Sequence, residues 1–141
     1  QRERLVLEVW GKGRIEADEV AIVPRSQEDI IRRWLSQRLK IRPSDPSAPL
    51  FPSLSNRNRG DRLSTRTVRR IVMGAFEEAG VIGKSKTTHS LRHTAITNAI
   101  RNEATPMQVQ AMARHRSFDT TLNYVHQVSR TEAPAEDLIE Y

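Results

Sequence analysis

The chain has 141 residues, of which 37% are hydrophobic, and a formal net charge of +6; this length allows one domain with a hydrophobic core and is too short for two. It contains no cysteine, no apolar run long enough to cross a bilayer and no secretory signal, which argues against a disulfide scaffold, a membrane protein or a secreted protein and favours a soluble, cytoplasmic one. The positive charge makes a nucleic acid the leading class of partner.

The chain begins with two strand-like runs. Residues 5–10 and 20–23 are rich in β-branched and apolar side chains, and glycines on both sides of Lys12 interrupt the pattern between them. Together the two runs predict an antiparallel hairpin. A helix is expected next because Ser26 and Asp29 have the spacing of a capping box. Its apolar residues recur on one helical face, which should pack on the core: Ile30, Ile31, Trp34, Leu35 and Leu39.

A long loop and a second helix follow. Residues 42–60 are rich in Pro, Ser and Asn, and the apolar residues available to hold this loop are Leu50, Phe51 and Leu54. Ser64 is a suitable N-cap for the next helix, whose apolar residues keep a helical rhythm until Gly80 ends it.

Three further helices and an acidic tail complete the chain. A capping box formed by Thr105 and Gln108, with a proline between them, is a strong start signal for the second of these helices. The expected ranges are about 89–101, about 105–113, and from about 117 onward for the last helix, which carries Tyr124. The elements together predict an α+β fold that is mainly helical, with one small antiparallel hairpin.

Arginine dominates the basic residues. Nineteen of the 23 are arginines, and the lysines are Lys12, Lys40, Lys84 and Lys86. The planar guanidinium group of arginine binds phosphate with two hydrogen bonds, whereas the lysine ammonium is a point charge on a flexible side chain. This choice favours phosphate as the ligand and suggests DNA as the partner. The alternative is that the arginine content reflects genomic base composition or an ordinary solvated surface.

Five residues suit chemistry on a phosphodiester. His89 and Arg92 are one helical turn apart, so their side chains turn toward the same place, where a phosphate fits. His115 and Tyr124 are nine residues apart across a helix boundary, and this spacing allows an imidazole and a phenol to share one cleft. Lys12 lies at a glycine-flanked hairpin tip, where its amine can swing.

These side chains suit attack on a phosphodiester without a metal or a cofactor. A phenol needs a base at neutral pH, and a phosphodiester anion repels nucleophiles unless its oxygens are neutralised. Arg92 and His115 are candidates for neutralising the phosphate. His89 is a candidate for assisting proton removal from Tyr124. Lys12 is a candidate for protonating the departing 5′-oxygen.

The order and spacing of these residues resemble the tyrosine recombinases of the phage integrase type. The matching segments are residues 89–93 (HSLRH), 109–115 (VQAMARH) and 120–126 (TTLNYVH). The hairpin tip around Lys12 is similar to the family's catalytic hairpin, and Leu50-Phe51 is similar to its Leu-Phe before the next helix. The resemblance covers nearly the whole chain and implies the fold of the family's catalytic domain.

The resemblance implies a site-specific DNA recombinase or integrase. Tyr124 would form a 3′-phosphotyrosyl bond, and the 5′-hydroxyl of another strand would later reverse the attack. No ATP, cofactor, metal or small-molecule substrate is needed, because one phosphodiester-like bond replaces another. His93 would support the site from behind.

The expected partners are double-stranded DNA and further copies of the same protein. DNA binding is predicted for the arginine-rich residues 57–70 and for residues 84–86, with the contacts placed at Arg59, Arg66, Lys84 and Lys86. By resemblance, the protein would form a homotetramer on paired sites, and the tail around Leu138 and Ile139 would pack in trans on a neighbouring subunit.

The chain departs from the family pattern in three places. The family usually has Pro where this chain has Thr88 and Gly where it has Arg114. Nothing in the chain matches the Gly-Leu-Arg motif that carries the family's first catalytic arginine, nor the family's separate DNA-clamping domain. Residues 1–141 are therefore expected to be a single catalytic domain truncated at its N-terminus, and a fragment that has little activity alone.

Other interpretations of the same residues are a zinc site, a binding module and a topoisomerase. His89 and His93 have the spacing of a zinc-binding pair, but Arg92 between them would repel a cation and no glutamate follows His89. Residues 105–124 could form a non-catalytic helix-turn-helix module, which would have no need of Lys12. A type IB topoisomerase shares the chemistry but relaxes supercoils instead of exchanging strands.

Overall fold

The structure is a computed structural model and describes residues 3–11, 15–41, 45, 47–81, 83 and 86–139. Two strands and five helices follow one another: β1 (Val6–Val9), β2 (Glu19–Ile22), α1 (Arg25–Ile41), α2 (Thr65–Glu78), α3 (Thr88–Arg101), α4 (Pro106–Ala113) and α5 (Phe118–Glu132), with a short 3₁₀ turn at Ala135–Leu138. The predicted mainly helical α+β fold is confirmed. None of the helices in the described part is long and apolar enough to span a membrane.

The chain divides into two compact units, Gln1–Val68 and Arg69–Tyr141. In the first unit, β1 and β2 form the predicted antiparallel hairpin, with Val6 opposite Ile22. The N–H of Val23 donates to the Leu5 carbonyl at 3.0 Å and continues the pairing beyond the strands. Val23, the residue after β2, is buried at 5% exposure.

Helix α1 differs from its prediction at both its start and its packing. It begins at Arg25, so Ser26 lies in the first turn and the prediction of an N-cap there is wrong. The Pro24 carbonyl accepts from the Gln27 N–H at 2.8 Å, which closes the turn one residue earlier without a side-chain cap. The described part of α1 contains no fully buried side chain, since the surrounding chain covers its apolar face only in part.

Two side chains of α1 hold the following loop. The indole N–H of Trp34 donates to the Leu50 carbonyl at 2.8 Å, and its ring lies 6.0 Å from that of Phe51. Leu50 and Phe51 therefore hold the loop as predicted, whereas Leu54 is 56% exposed. The Arg38 guanidinium satisfies three loop carbonyls, those of Asp45, Ala48 and Pro49.

The second unit contains a packed set of three helices, α3, α4 and α5, each in contact with the other two. Its core consists of Ile96 from α3 and Val109 and Ala113 from α4, which are at most 4% exposed. Partly buried residues pack around this core: Ala99, Ile100, Ala104 and Tyr124. The phenol ring of Tyr124 therefore rests on the core, which fixes where its hydroxyl points.

Three helices begin with a side-chain cap, and two of these caps, at Ser64 and Thr105, are the ones predicted from the sequence. In each case a side-chain oxygen accepts a backbone N–H of the first turn: Ser64 from Thr67 (3.1 Å), Thr105 from Gln108 (3.3 Å) and Ser117 from Asp119 (3.2 Å). These bonds satisfy N–H groups that have no partner within the helix.

Three helices end in the same left-handed turn, at Gly80, Glu103 and Arg114, with φ of 66°, 62° and 55°. The residue after each donates its N–H to the carbonyl five positions back: Val81 to Phe76, Ala104 to Ala99 and His115 to Gln110. This is the Schellman arrangement, in which glycine is the usual residue. The sequence predicts the turn at Gly80. It gives no glycine signal at the other two positions.

Candidate active site

The first two turns of α3 carry three of the predicted site residues. The Ser90 hydroxyl accepts the Thr87 N–H at 3.0 Å, a bond that fixes the start of the helix. His89, Arg92 and His93 then follow at i, i+3 and i+4, so they share one face of α3.

Arg92 reaches from α3 to the end of α4. Its Nη2 atom donates a hydrogen bond to the carbonyl of Ala113, the last residue of α4. Terminal carbonyls of a helix have no partner within the helix, so the guanidinium is a natural donor there. This bond anchors one edge of the Arg92 fork.

His115 is placed by the turn that ends α4 and is oriented by α5. Its backbone N–H donates to the Gln110 carbonyl at 3.1 Å. Its Nδ1 atom lies 2.8 Å from the Oγ1 atom of Thr121, and Thr121 is fully buried. With Nδ1 bonded to Thr121, Nε2 is the nitrogen of His115 left for a ligand.

The side chain of Tyr124 lies between two imidazole rings. The His115 ring is stacked on the phenol, with centroids 5.8 Å apart and 18° between the planes. On the other side, the Tyr124 hydroxyl is hydrogen-bonded to the Nδ1 atom of His93, and the two rings are 5.4 Å apart. The packing of α3, α4 and α5 therefore brings a phenol, two imidazoles and a guanidinium into one place.

His89 completes a chain of three rings. Its imidazole meets the ring of His93 edge to face, with centroids 4.6 Å apart and planes at 90°. His93 thus lies between His89 and Tyr124 in this row of contacts.

Partial burial, and then the positive charge of Arg92, lower the pKa of His115. Both causes disfavour the charged imidazolium. The lowered pKa favours the neutral form of His115, and the positive charge that acts on this ring is that of Arg92.

A groove of about 360 Å³ runs from this cluster along α3 and α5. Its lining includes the rings of His93 and Tyr124 and the side chains of Thr97 and Gln127. Arg101 and Glu132, which form an ion pair at 2.5 Å, also line it. The Tyr124 side chain therefore lies at an open groove.

Comparison with protein families matches residues 4–130 to the phage integrase family. The chain belongs to the phage integrase family. This confirms the resemblance drawn from the three sequence segments that carry the histidines, Arg92 and Tyr124.

Relatives of this phage integrase chain are named tyrosine recombinases. It is 39% identical over 126 residues to the tyrosine recombinase XerC of Corynebacterium glutamicum, covering 88% of this chain and 37% of that protein. It is 31% identical over 140 residues to the tyrosine recombinase slr0733 of Synechocystis, covering 97% and 42%. The chain thus spans about two fifths of the length of these curated relatives.

The fold of the phage integrase chain is also similar to that of a solved recombinase. The crystal structure of XerA recombinase matches with a TM-score of 0.69 and 28% sequence identity, over 96% of this chain and 46% of that one. Nothing in the comparisons favours a helix-turn-helix module or a topoisomerase.

The structure describes some of the remaining predicted residues of this integrase chain and leaves out others. Lys12 and Lys84 fall outside the described residues. Arg59 and Arg66 are exposed in the first unit, and Lys86 is half-buried in the second.

Two features of the cluster are absent from the sequence prediction. One is the hydroxyl of Thr121, which lies three residues before Tyr124 on α5 and therefore on the same face as that residue. The other is the Ala113 carbonyl, which no side-chain pattern indicates. In the part of the chain that the structure describes, no group of three or more His, Cys, Asp or Glu side chains suits a metal ion.

Proposed function

We propose that this chain is the catalytic domain of a site-specific DNA recombinase and that Tyr124 is its nucleophile. The observation that carries the proposal is the Tyr124 hydroxyl held beside His93 and His115, with Arg92 anchored next to His115. A phenol, imidazoles and a guanidinium are the groups needed to attack a phosphodiester without a metal. The tyrosine recombinases named above support this assignment.

In the proposed reaction, the Tyr124 oxygen attacks the phosphorus and forms a 3′-phosphotyrosyl bond while the bond to the 5′-oxygen breaks. The free edge of the Arg92 guanidinium binds the non-bridging oxygens, whose charge increases in the transition state. The Nε2–H of His115 donates a further hydrogen bond, and the lowered pKa of His115 favours the neutral ring. Lys12 protonates the departing 5′-oxygen. His89 contributes a further imidazole, which contacts the ring of His93.

Double-stranded DNA is the proposed substrate, in the cytoplasm. The exposed Arg59 and Arg66, together with Lys84 and Lys86, are the proposed contacts to the phosphate backbone. No cofactor or small molecule takes part, because the phosphotyrosyl bond stores the energy of the broken phosphodiester.

We further propose that residues 1–141 need an upstream arginine and a second DNA-binding domain for full activity. In the described cluster, Arg92 is the arginine placed to bind the phosphate. The family pattern has two catalytic arginines at this phosphate. Loss of one preorganised donor costs roughly 100- to 1000-fold in rate. The 141-residue chain alone should therefore cleave a suicide substrate very slowly, even with Arg2 and Arg4 intact. Near-normal cleavage after both are replaced by alanine would contradict this.

The tail is proposed to join subunits in a tetramer on paired sites. The Arg130 guanidinium is paired with the carboxylate of Glu136, while Leu138 and Ile139 are 83% and 54% exposed. Exposed apolar side chains at the end of a charged turn suit docking on a neighbouring copy. Deleting the residues after Pro134 should weaken assembly on paired sites before it weakens binding to one site. The reverse order would refute the role of the tail.

The nucleophile is tested with a nicked suicide substrate, which traps the covalent intermediate. Tyr124→Phe in the full-length protein should abolish the covalent adduct and leave DNA binding almost unchanged, because only the attacking oxygen is lost. Tyr141→Phe, which changes the other tyrosine of the chain, is the matched control and should form the adduct normally. An adduct formed by Tyr124→Phe would refute the proposal.

Two assays separate the proposed recombinase from its alternatives. In the suicide-substrate assay, a non-catalytic binding module would bind DNA but form no covalent adduct, even as the wild-type protein with both tyrosines intact. A type IB topoisomerase would form the adduct, relax supercoiled DNA and fail to exchange strands between two sites.

A further inference from the structure

The hydroxyl of Tyr124 has a direct hydrogen-bond partner, the Nδ1 atom of His93. The two residues are 31 positions apart in the sequence and meet because α3 packs against α5. His93 is solvent-exposed and Tyr124 is half-buried. A proton that leaves the phenol oxygen along this bond therefore reaches a ring that is in contact with solvent.

The other two imidazoles of the cluster are less suited to receive that proton. The ring of His115 is stacked on the face of the phenol, and its Nδ1 atom is bonded to Thr121 at 2.8 Å. His89 contacts the ring of His93, so it lies one ring further from the hydroxyl in this row. Among these three imidazoles, His93 is the one whose ring nitrogen is hydrogen-bonded to the Tyr124 hydroxyl.

We propose that His93 is a catalytic residue that removes the proton of the Tyr124 hydroxyl during DNA cleavage. This role rests on the proposed function, since it requires Tyr124 to be the nucleophile. It replaces the expectation that His93 only supports the site from behind and that His89 assists the proton transfer.

The step balances with the groups present. His93 begins as the neutral tautomer with its proton on Nε2, and Nδ1 accepts the hydrogen bond from the Tyr124 hydroxyl. The O–H bond breaks as the bond from oxygen to phosphorus forms, and His93 becomes an imidazolium. The electron pair of the breaking P–O bond leaves on the 5′-oxygen, which takes a proton from Lys12. When a 5′-hydroxyl reverses the attack, its proton returns to Lys12 as its oxygen bonds to phosphorus, the bond from phosphorus to the Tyr124 oxygen breaks, and His93 returns its proton to that oxygen.

Substitution by asparagine separates proton transfer from positioning. His93→Asn keeps a hydrogen-bonding group near the position of Nδ1, but an amide does not accept a proton at neutral pH. In the full-length protein, single-turnover cleavage of a suicide substrate should fall about 100- to 10,000-fold, with DNA affinity unchanged. His126→Asn, at an exposed histidine of α5, is the matched control and should cleave normally.

A fluorinated nucleophile provides a second readout that a structural role would not change. Fluorination makes a phenol easier to deprotonate, so 3-fluorotyrosine in place of Tyr124 should restore part of the rate lost in His93→Asn and should help the wild-type protein much less. An equal effect of fluorination in both proteins would overturn the role of His93.

The outcomes distinguish this role from the proposed function. If the wild-type protein forms no adduct at Tyr124, the proposed function fails and the role of His93 fails with it. If the wild type forms the adduct and His93→Asn cleaves within about threefold of it, only the role of His93 is refuted. If His93→Asn does not fold, the same cleavage measurement is made on His93→Gln, and a rate within about threefold of the wild type again refutes the role of His93.

Discussion

The Nδ1 atom of His115 lies 2.8 Å from the hydroxyl oxygen of Thr121, and Thr121 is fully buried. One short hydrogen bond thus links the turn after α4 to the helix that carries Tyr124. When the hydroxyl of Thr121 donates to Nδ1, the proton of the neutral His115 ring resides on Nε2, the nitrogen proposed to face the phosphate.

Replacing Thr121 by valine should disturb this orientation with little loss of volume. We expect the free energy of unfolding to fall by about 1 kcal/mol, because a hydrogen bond is lost. We expect single-turnover cleavage to fall by up to about 100-fold, because the His115 ring is no longer held in place. Thr120→Val changes an exposed neighbour and is the control. Equal cleavage rates in the two variants would contradict the role of Thr121.

The lowered pKa of His115 predicts a pH dependence of stability. Because the unfolded chain binds this proton at a higher pH than the folded protein, stability should fall as the pH drops below about 6.5. The decrease stops once the folded His115 is protonated too. His115→Gln should remove this part of the slope in denaturant midpoints measured between pH 7.5 and 5, since the other histidines are common to both proteins.

Arg92→Gln should raise the pKa of His115 only part of the way back to the ordinary value of a histidine. Burial is the larger cause of the lowered pKa, and the charge of Arg92 is the smaller one. An NMR titration of His115 measures this directly. A pKa of His115 that does not rise in Arg92→Gln would show that the two side chains are not coupled.

The left-handed turns at Glu103 and Arg114 predict two stabilising substitutions. A non-glycine residue in this conformation costs about 1 kcal/mol, so Glu103→Gly and Arg114→Gly should each raise the free energy of unfolding by about that amount. Arg69→Gly, inside α2, should instead lower it by about 1 kcal/mol. Destabilisation by all three substitutions would show that the φ values of 62° and 55° do not govern stability here.

Arg92 should not be replaceable by lysine. The guanidinium donates to the Ala113 carbonyl through Nη2 and carries further N–H groups that can bind a phosphate, whereas an ammonium is a point charge without this fork. Arg92→Lys, like Arg92→Ala, should reduce cleavage roughly 100- to 1000-fold with a smaller effect on binding. Arg116→Lys, at an exposed arginine of the same unit, is the control. Full activity of Arg92→Lys would contradict the proposed contact.

DNA affinity should fall steeply as salt rises, because phosphate contacts release counterions. Arg59→Ala and Arg66→Ala should each reduce the slope of log affinity against log salt by about 1. Arg130→Ala removes the same charge from a residue that is paired with Glu136 and should leave the slope nearly unchanged. Binding that does not respond to salt would exclude an electrostatic footprint.

Local patterns in the sequence were sufficient to predict the elements and several of their ends. The caps at Ser64 and Thr105 and the left-handed turn at Gly80 involve residues within five positions of one another. The cap assigned to Ser26 was wrong because the backbone of the preceding proline closes the first turn of α1. Such a backbone bond leaves no side-chain signal.

The sequence by itself determined the family, the order of the elements and the residue types available for chemistry, because each is written in motifs and short-range periodicity. Only the tertiary structure decided the partners of those residues. His93 meets Tyr124 across 31 positions and Arg92 meets Ala113 across 21, and both contacts depend on how α3, α4 and α5 pack around a shared core. The partial burial that lowers the pKa of His115 has the same origin, since the solvation of a side chain is a property of the packed helices.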